Sequence, residues 1–155
     1  MARTLIRAGW IITLDPAFGE LRDAEILIED GRIAAVGRAL DATAAEVVEA
    51  RDRIVLPGLI DAHVHLWQGG LRAIGSEWLG PDYHGTMHAN LATRYGPEDN
   101  YLGNLFSALA HLDGGVTTVL DWCHNLTSLE MAERSVDALE ERGIRLVFAH
   151  GTATP

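Results

Sequence analysis

Pro57-Gly58-Leu59-Ile60-Asp61-Ala62-His63-Val64-His65 reads as an apolar strand that runs straight into two histidines spaced i, i+2. In an extended strand that spacing puts both imidazoles on one face, about 6–7 Å apart. Two imidazoles converging from a strand end are what a divalent metal needs as its first two ligands. Alternation assigns Leu59, Asp61, His63 and His65 to one face, and Ile60, Ala62 and Val64 to the other. The second set is apolar and is expected to pack under helices. The first is expected to point into a barrel or cleft, with Asp61 below His63, where a carboxylate can orient a ligand imidazole.

Downstream of this stretch the pattern alternates strand and helix. Residues 66–96 read as a glycine-rich loop. Pro97-Glu98-Asp99 opens a helix, since proline suits its first position and acids favour its positive end. Tyr101, Leu102, Leu105, Phe106, Leu109 and Leu112 give that helix an apolar stripe, and Gly114-Gly115 stops it. Val116–Leu120 is the second strand. Thr127 with Glu130 reads as a capping box for a helix buried through Leu129, Ala132, Val136 and Leu139 and ended by Gly143. Ile144–Ala149 is a third apolar strand. Alternating β and α units with apolar strands imply a parallel sheet.

Upstream, residues 1–56 read as short strands and turns. Thr4–Thr13 is β-rich, with Gly9 as a kink. Ala24–Glu29 and Arg32–Val36 flank Asp30-Gly31, a strong type I′ hairpin signal. Val47-Val48 and Arg53–Leu56 suggest two more short strands. The expectation is a separate antiparallel layer of a small β-sandwich over residues 1–56, followed by α/β structure over 57–155.

Composition excludes several function classes. A net charge of -10 argues against nucleic acid or an anionic membrane as partner. The one cysteine, Cys123, rules out an internal disulfide and fits a reducing cytosol. The N-terminus lacks signal-peptide form, and no apolar run approaches the roughly 20 residues of a membrane span. The expected location is cytoplasmic.

With seven histidines in the chain, a His-x-His pair arises by chance about 0.3 times, so the pair alone is weak. Its context is specific. Pro-Gly-Leu-Ile-Asp-Ala-His-Val-His resembles the first-strand motif of the amidohydrolase superfamily of metal-dependent hydrolases. Gly115-Val116-Thr117-Thr118-Val119-Leu120-Asp121 is similar to that superfamily's second strand, and the Asp-Gly-Arg-Ile hairpin fits its N-terminal β-sandwich. The long first loop before the Pro97 helix looks most like the branch containing cytosine, guanine and adenosine-type deaminases and triazine hydrolases.

The resemblance implies the N-terminal part of a (β/α)8 barrel, about three β/α units, with the metal at the C-terminal strand ends. It implies one divalent ion, zinc with iron as the alternative, held in part by His63 and His65. The remaining ligands and the general acid/base map to strands beyond these residues, so the catalytic residues stay unassigned. The implied chemistry is metal-activated water acting on a non-peptide carbon–nitrogen bond of an aminated heterocycle or cyclic amide. Gln68 and Trp67, just past the first strand, are substrate-contact candidates, as are Asp121, His124 and His150 at the ends of strands two and three. His84 and His88 read as surface residues, His111 as a cation at a helix C-terminus, and Cys123 as a small buried residue. The expected partners are a small-molecule substrate and either a second copy or a complementing chain. A non-catalytic fragment, or one half of a two-chain enzyme, is the alternative reading.

Overall fold

In the computed structural model, which describes residues 2–151, the chain divides after Pro57 into two units, each with its own sheet. The first carries β1 (Arg3–Ile12), β2 (Glu20–Glu29), β3 (Arg32–Gly37) and β4 (Glu46–Val55), in the order β3-β2-β1-β4. Asp30 and Gly31 close the β2–β3 hairpin with φ of 48° and 77°, the two positive angles of a type I′ turn. Ala8, Ile11, Ala24 and Ile26 form a buried cluster on one face of this sheet, and the paired Leu5 and Leu27 are buried on the other.

Two features of this unit differ from the sequence expectation. Val47-Val48 and Arg53–Leu56 do not make two strands. Most of both lies in the single strand β4, whose pairing with β1 slips between Ala8 and Trp10. Gly9 makes the slip possible: a Cβ there would lie 2.1 Å from the Arg51 carbonyl oxygen. The layer is also not purely antiparallel, because β4 runs parallel to β1. β3 stops at Gly37, level with Arg7, so residues 38–45 can cross to the far edge. Arg3 donates to the Asp41 carbonyl at 3.3 Å, and Glu25 accepts the Leu40 N–H at 2.8 Å, which hold that crossing in place. Among the described residues this unit is one sheet, the single layer expected.

The second unit alternates β and α elements. β5 (Leu59–Val64) leads into a 3-10 turn (Leu66–Leu71), α1 (Gly80–Tyr83), a π-helical turn (His84–Leu91) and a 3-10 turn (Ala92–Arg94). Then come α2 (Pro97–Asp113), β6 (Val116–Cys123), α3 (Leu129–Arg142) and β7 (Arg145–His150). The sheet order is β5-β6-β7, and both pairings are parallel. Asp99 accepts the Gly96 N–H at 2.8 Å ahead of α2. Ser128 caps α3 by accepting the Met131 N–H, so the cap is one residue later than the Thr127 predicted. Gly143, at φ 69°, closes α3 in the left-handed conformation.

The face of β5 is corrected by a bulge. Pairing runs Asp61 with Val119 and then Val64 with Asp121, so β5 spends one extra residue and its alternation flips. Val64 packs with Leu66, Ala108, Val119 and Leu139 under the helices, while Ile60 is left exposed. Asp61 turns toward α2, where it meets His111 Nε2 at 3.3 Å and accepts the His63 backbone N–H at 3.1 Å. It therefore braces the backbone of His63 instead of orienting its ring, and His111 is its side-chain hydrogen-bond partner instead of an unpaired helix-end group.

α2 also buries a different face from the one its apolar stripe suggests. Leu102, Phe106 and Leu109 are about half exposed, whereas Asn100, Gly103, Asn104, Ser107 and Ala108 are buried. Small side chains win because the helix approaches the backbone of the first turn: a Cβ on Gly103 would lie 2.2 Å from the Trp67 carbonyl oxygen. Ser107 Oγ donates to the Leu66 carbonyl at 2.8 Å, and the Asn100 and Asn125 amides bond each other at 3.1 Å. The segment 66–96, expected as loop, instead winds into short helical turns around the fully buried Trp67, which packs with Met87, Ala92, Cys123, Leu126 and Met131.

Asp121 sits inside β6 with no exposed surface. One carboxylate oxygen accepts the Leu66 N–H at 3.0 Å, and the other has no partner. Burial pushes its pKa up to about 6, against the opposing pull of the Leu66 N–H and His111.

Two measurements test this packing. Gly103→Ala should cost about 1–3 kcal/mol by overpacking against backbone. Gly85→Ala, where a Cβ meets open space, should be neutral or stabilising by up to about 1 kcal/mol. Urea unfolding decides, and equal midpoints would refute the close approach. For Asp121 the sign follows from its raised pKa. The fold holds the proton more tightly than the unfolded chain, so this contribution is full below about pH 4 and is lost as pH rises through 6. Asp121→Asn carries no such loss. Its stability relative to wild type should improve by on the order of 2 kcal/mol between pH 4 and pH 7. A pH-independent difference between the two unfolding curves would contradict the burial.

Candidate metal centre and adjoining cleft

β5 ends by presenting His63 and His65 together, with ring centres 5.1 Å apart and planes at 78°. Two imidazoles sharing one ion at zinc–nitrogen distances of about 2.0–2.1 Å have ring centres about 5 Å apart, so the pair has suitable spacing. His65 is also aimed. Its Nδ1 lies 2.7 Å from the Trp122 carbonyl oxygen, which can only accept. Nδ1 therefore carries the proton and Nε2 keeps its lone pair free, the orienting arrangement of a metal-ligating histidine. The Trp122 ring stands edge-on to His63 at 5.2 Å. Imidazole donors suit zinc and iron and are poor ligands for magnesium or calcium. Among the described residues no group of three or more His, Cys, Asp or Glu side chains is arranged to hold an ion. The donor set seen here is thus two imidazoles.

Beside this pair opens a cleft of about 540 Å³, lined by His65, Tyr83, His84, His88, Trp122, His124, His150 and Gly151. Its imidazoles form a row. His65 and His124 have ring centres 4.0 Å apart, His124 and His88 4.5 Å, and His88 and His84 5.5 Å. His124 is set by Trp67, whose indole N–H donates to His124 Nδ1 at 3.3 Å. Burial, reinforced by His65 and His88, pushes the His124 pKa down to about 4. Burial and the neighbouring His84 and His65 also lower that of His88.

The substrate-contact candidates divide between cleft and core. His124 and His150 line the cleft. Trp67 is in the core and reaches the cleft only through its hydrogen bond to His124. Asp121 is buried in β6. Gln68 donates to the Tyr83 hydroxyl at 2.7 Å and so holds a cleft residue from behind. Cys123 is fully buried, and burial pushes its thiol up to about 12, which leaves it no nucleophilic character at neutral pH. The sequence reading missed His84, His88 and Tyr83 as cleft residues. The His-x-x-x-His spacing of residues 84–88 was the available signal, since it stacks two side chains on one face of a helical turn. No helix among the described residues is long and apolar enough to cross a membrane.

Residues 54–154 match the model of the amidohydrolase family. A 5-methylthioadenosine/S-adenosylhomocysteine deaminase of Thermococcus kodakarensis is 33% identical over 155 residues, covering 95% of this chain and 33% of that protein. Among solved structures, a triazine hydrolase from Arthobacter aurescens superposes with a TM-score of 0.83 at 30% identity, covering 94% of this chain and 35% of that one. An adenosine deaminase from Xanthomonas campestris with bound zinc gives 0.75 at 26% identity, over 94% and 33%. The chain spans about a third of the length of these relatives, and through the matched residues it belongs to the amidohydrolase family.

Proposed function

We propose that this chain supplies the first metal-binding strand and one wall of the substrate cleft of a zinc-dependent hydrolase acting on non-peptide carbon–nitrogen bonds. One observation carries the reading: in an amidohydrolase-family chain, His63 and His65 leave the end of a parallel strand together, and the Trp122 carbonyl fixes which nitrogen of His65 is free. When bound, a single zinc ion supplies the Lewis acidity that makes water a nucleophile near neutral pH. His63 and His65 hold it. His124 and His150 face the substrate, and Trp67 keeps His124 in place. The favoured substrate class is an aminated heterocycle that loses ammonia, as the deaminase names of its relatives suggest, with ring-amide or triazine hydrolysis as the neighbouring chemistry.

β5 and β7 are the two edges of the three-stranded sheet. An unpaired parallel edge is a template for further strands. We read both as the places where the remaining β/α units of a barrel add, in a longer chain or in a complementing one. Residues 1–56 and 57–155 are then its small β domain and the opening of its barrel.

Zinc titration tests the ligand assignment. His63→Ala and His65→Ala should each weaken binding about tenfold or more, because each removes one of two imidazoles. Once the remaining strands are supplied, either variant should also abolish ammonia release from a panel of aminated purines, pyrimidines and triazines. Undiminished zinc affinity in both variants, or ammonia release that survives a chelator, would defeat the proposal.

A further inference from the structure

His84 and His88 form a second pair of imidazoles, separate in sequence from the strand-end pair. They lie four residues apart on the π-helical turn His84–Leu91. Turns of this type are rare and are found often at functional sites. Their rings are tilted by only 31°, with centres 5.5 Å apart. That is close to the separation of about 5 Å expected for two imidazoles sharing one ion. Histidines at i, i+4 on one helical face are an established zinc-binding arrangement.

The surroundings favour an ion over an ordinary surface role. Among the described residues the cleft lining contains no lysine or arginine that would oppose a divalent metal. His124 lies 4.5 Å from His88 on the inner side and, with its Nδ1 already accepting from Trp67, is not itself a ligand. Tyr83 stands edge-on to both rings, at 5.6 Å from His84 and 5.1 Å from His88, and its hydroxyl is held by Gln68. The turn is therefore braced from behind while its histidines face the cleft.

We infer that His84 and His88 clamp a second transition-metal ion at the mouth of the cleft, independently of His63 and His65. The ion belongs to the class that prefers imidazole: zinc, nickel or copper, and not magnesium or calcium. Two imidazoles hold it, and water fills the other positions.

Nickel titration of the 155-residue chain, followed by calorimetry, separates the two pairs. Wild type should take up two equivalents. The double variant His84→Ala/His88→Ala should take up one, and so should His63→Ala/His65→Ala. Circular dichroism establishes that each variant is folded. The single variant His84→Gln, at an exposed position, should weaken only one of the two equivalents, by about tenfold or more. Two equivalents retained after His84→Ala/His88→Ala, or an unaltered titration of His84→Gln, would overturn the inference. So would loss of both equivalents in His63→Ala/His65→Ala, which would make the five histidines one site. Failure of the strand-end assignment looks different: His63→Ala/His65→Ala would then keep every equivalent that wild type has. Magnesium should give no heat in any of these proteins, and magnesium binding lost with His84 and His88 would contradict the imidazole chemistry.

Discussion

The second unit depends on the burial of Trp67. This side chain has no exposed surface, and three parts of the molecule meet on it. Its carbonyl takes the close approach of α2 at Gly103, its ring packs against Met87, Ala92 and Met131 from the turns and α3, and its indole N–H ends on His124. A buried indole N–H needs a partner, and here the partner is a cleft imidazole. Packing and site geometry are thereby one problem. The turn that follows His65 cannot move without moving the ring that sits 4.0 Å from it.

Much of this was legible in the sequence because it rests on local rules. Asp30-Gly31 announces a type I′ turn, Pro97 and Gly143 mark helix ends, and the apolar stretches around Val119 and Val147 mark parallel strands. The strand-end pair His63 and His65 was legible for the same reason, since i, i+2 spacing survives any strand geometry that leaves the end intact. What failed depended on partners far away in sequence. The parity of β5 flips because β6 forces a bulge between Asp61 and Val64. β4 lies parallel to β1 because β3 happens to stop early. No local pattern carries either fact.

The face of α2 teaches a related lesson. Its leucines and phenylalanine define the apolar stripe, yet the residues buried against the turn and α3 are Asn100, Gly103, Asn104 and Ser107. The hydrophobic pattern rewards area, whereas this contact rewards closeness. Small and polar side chains let backbones approach, and their hydrogen bonds to Leu66 and Asn125 satisfy groups that a leucine would have stranded. Trp67 was expected at the cleft by the same logic of position, and its size instead put it in the core.

Burial and the row of histidines together set the charge state of His124. Two imidazolium ions 4 Å apart repel by about 1 kcal/mol in bulk water and by about 4 kcal/mol at the effective dielectric of a protein surface. His124 has His65 on one side, His88 on the other and the core behind it, so protonation is opposed from three directions. Burial first, and the neighbouring rings second, thus keep its ring uncharged at neutral pH. A neutral ring whose Nδ1 already accepts from Trp67 has only its Nε2–H left to offer, as a donor. The same packing that buries Trp67 therefore gives the cleft a fixed hydrogen-bond donor beside the candidate metal pair.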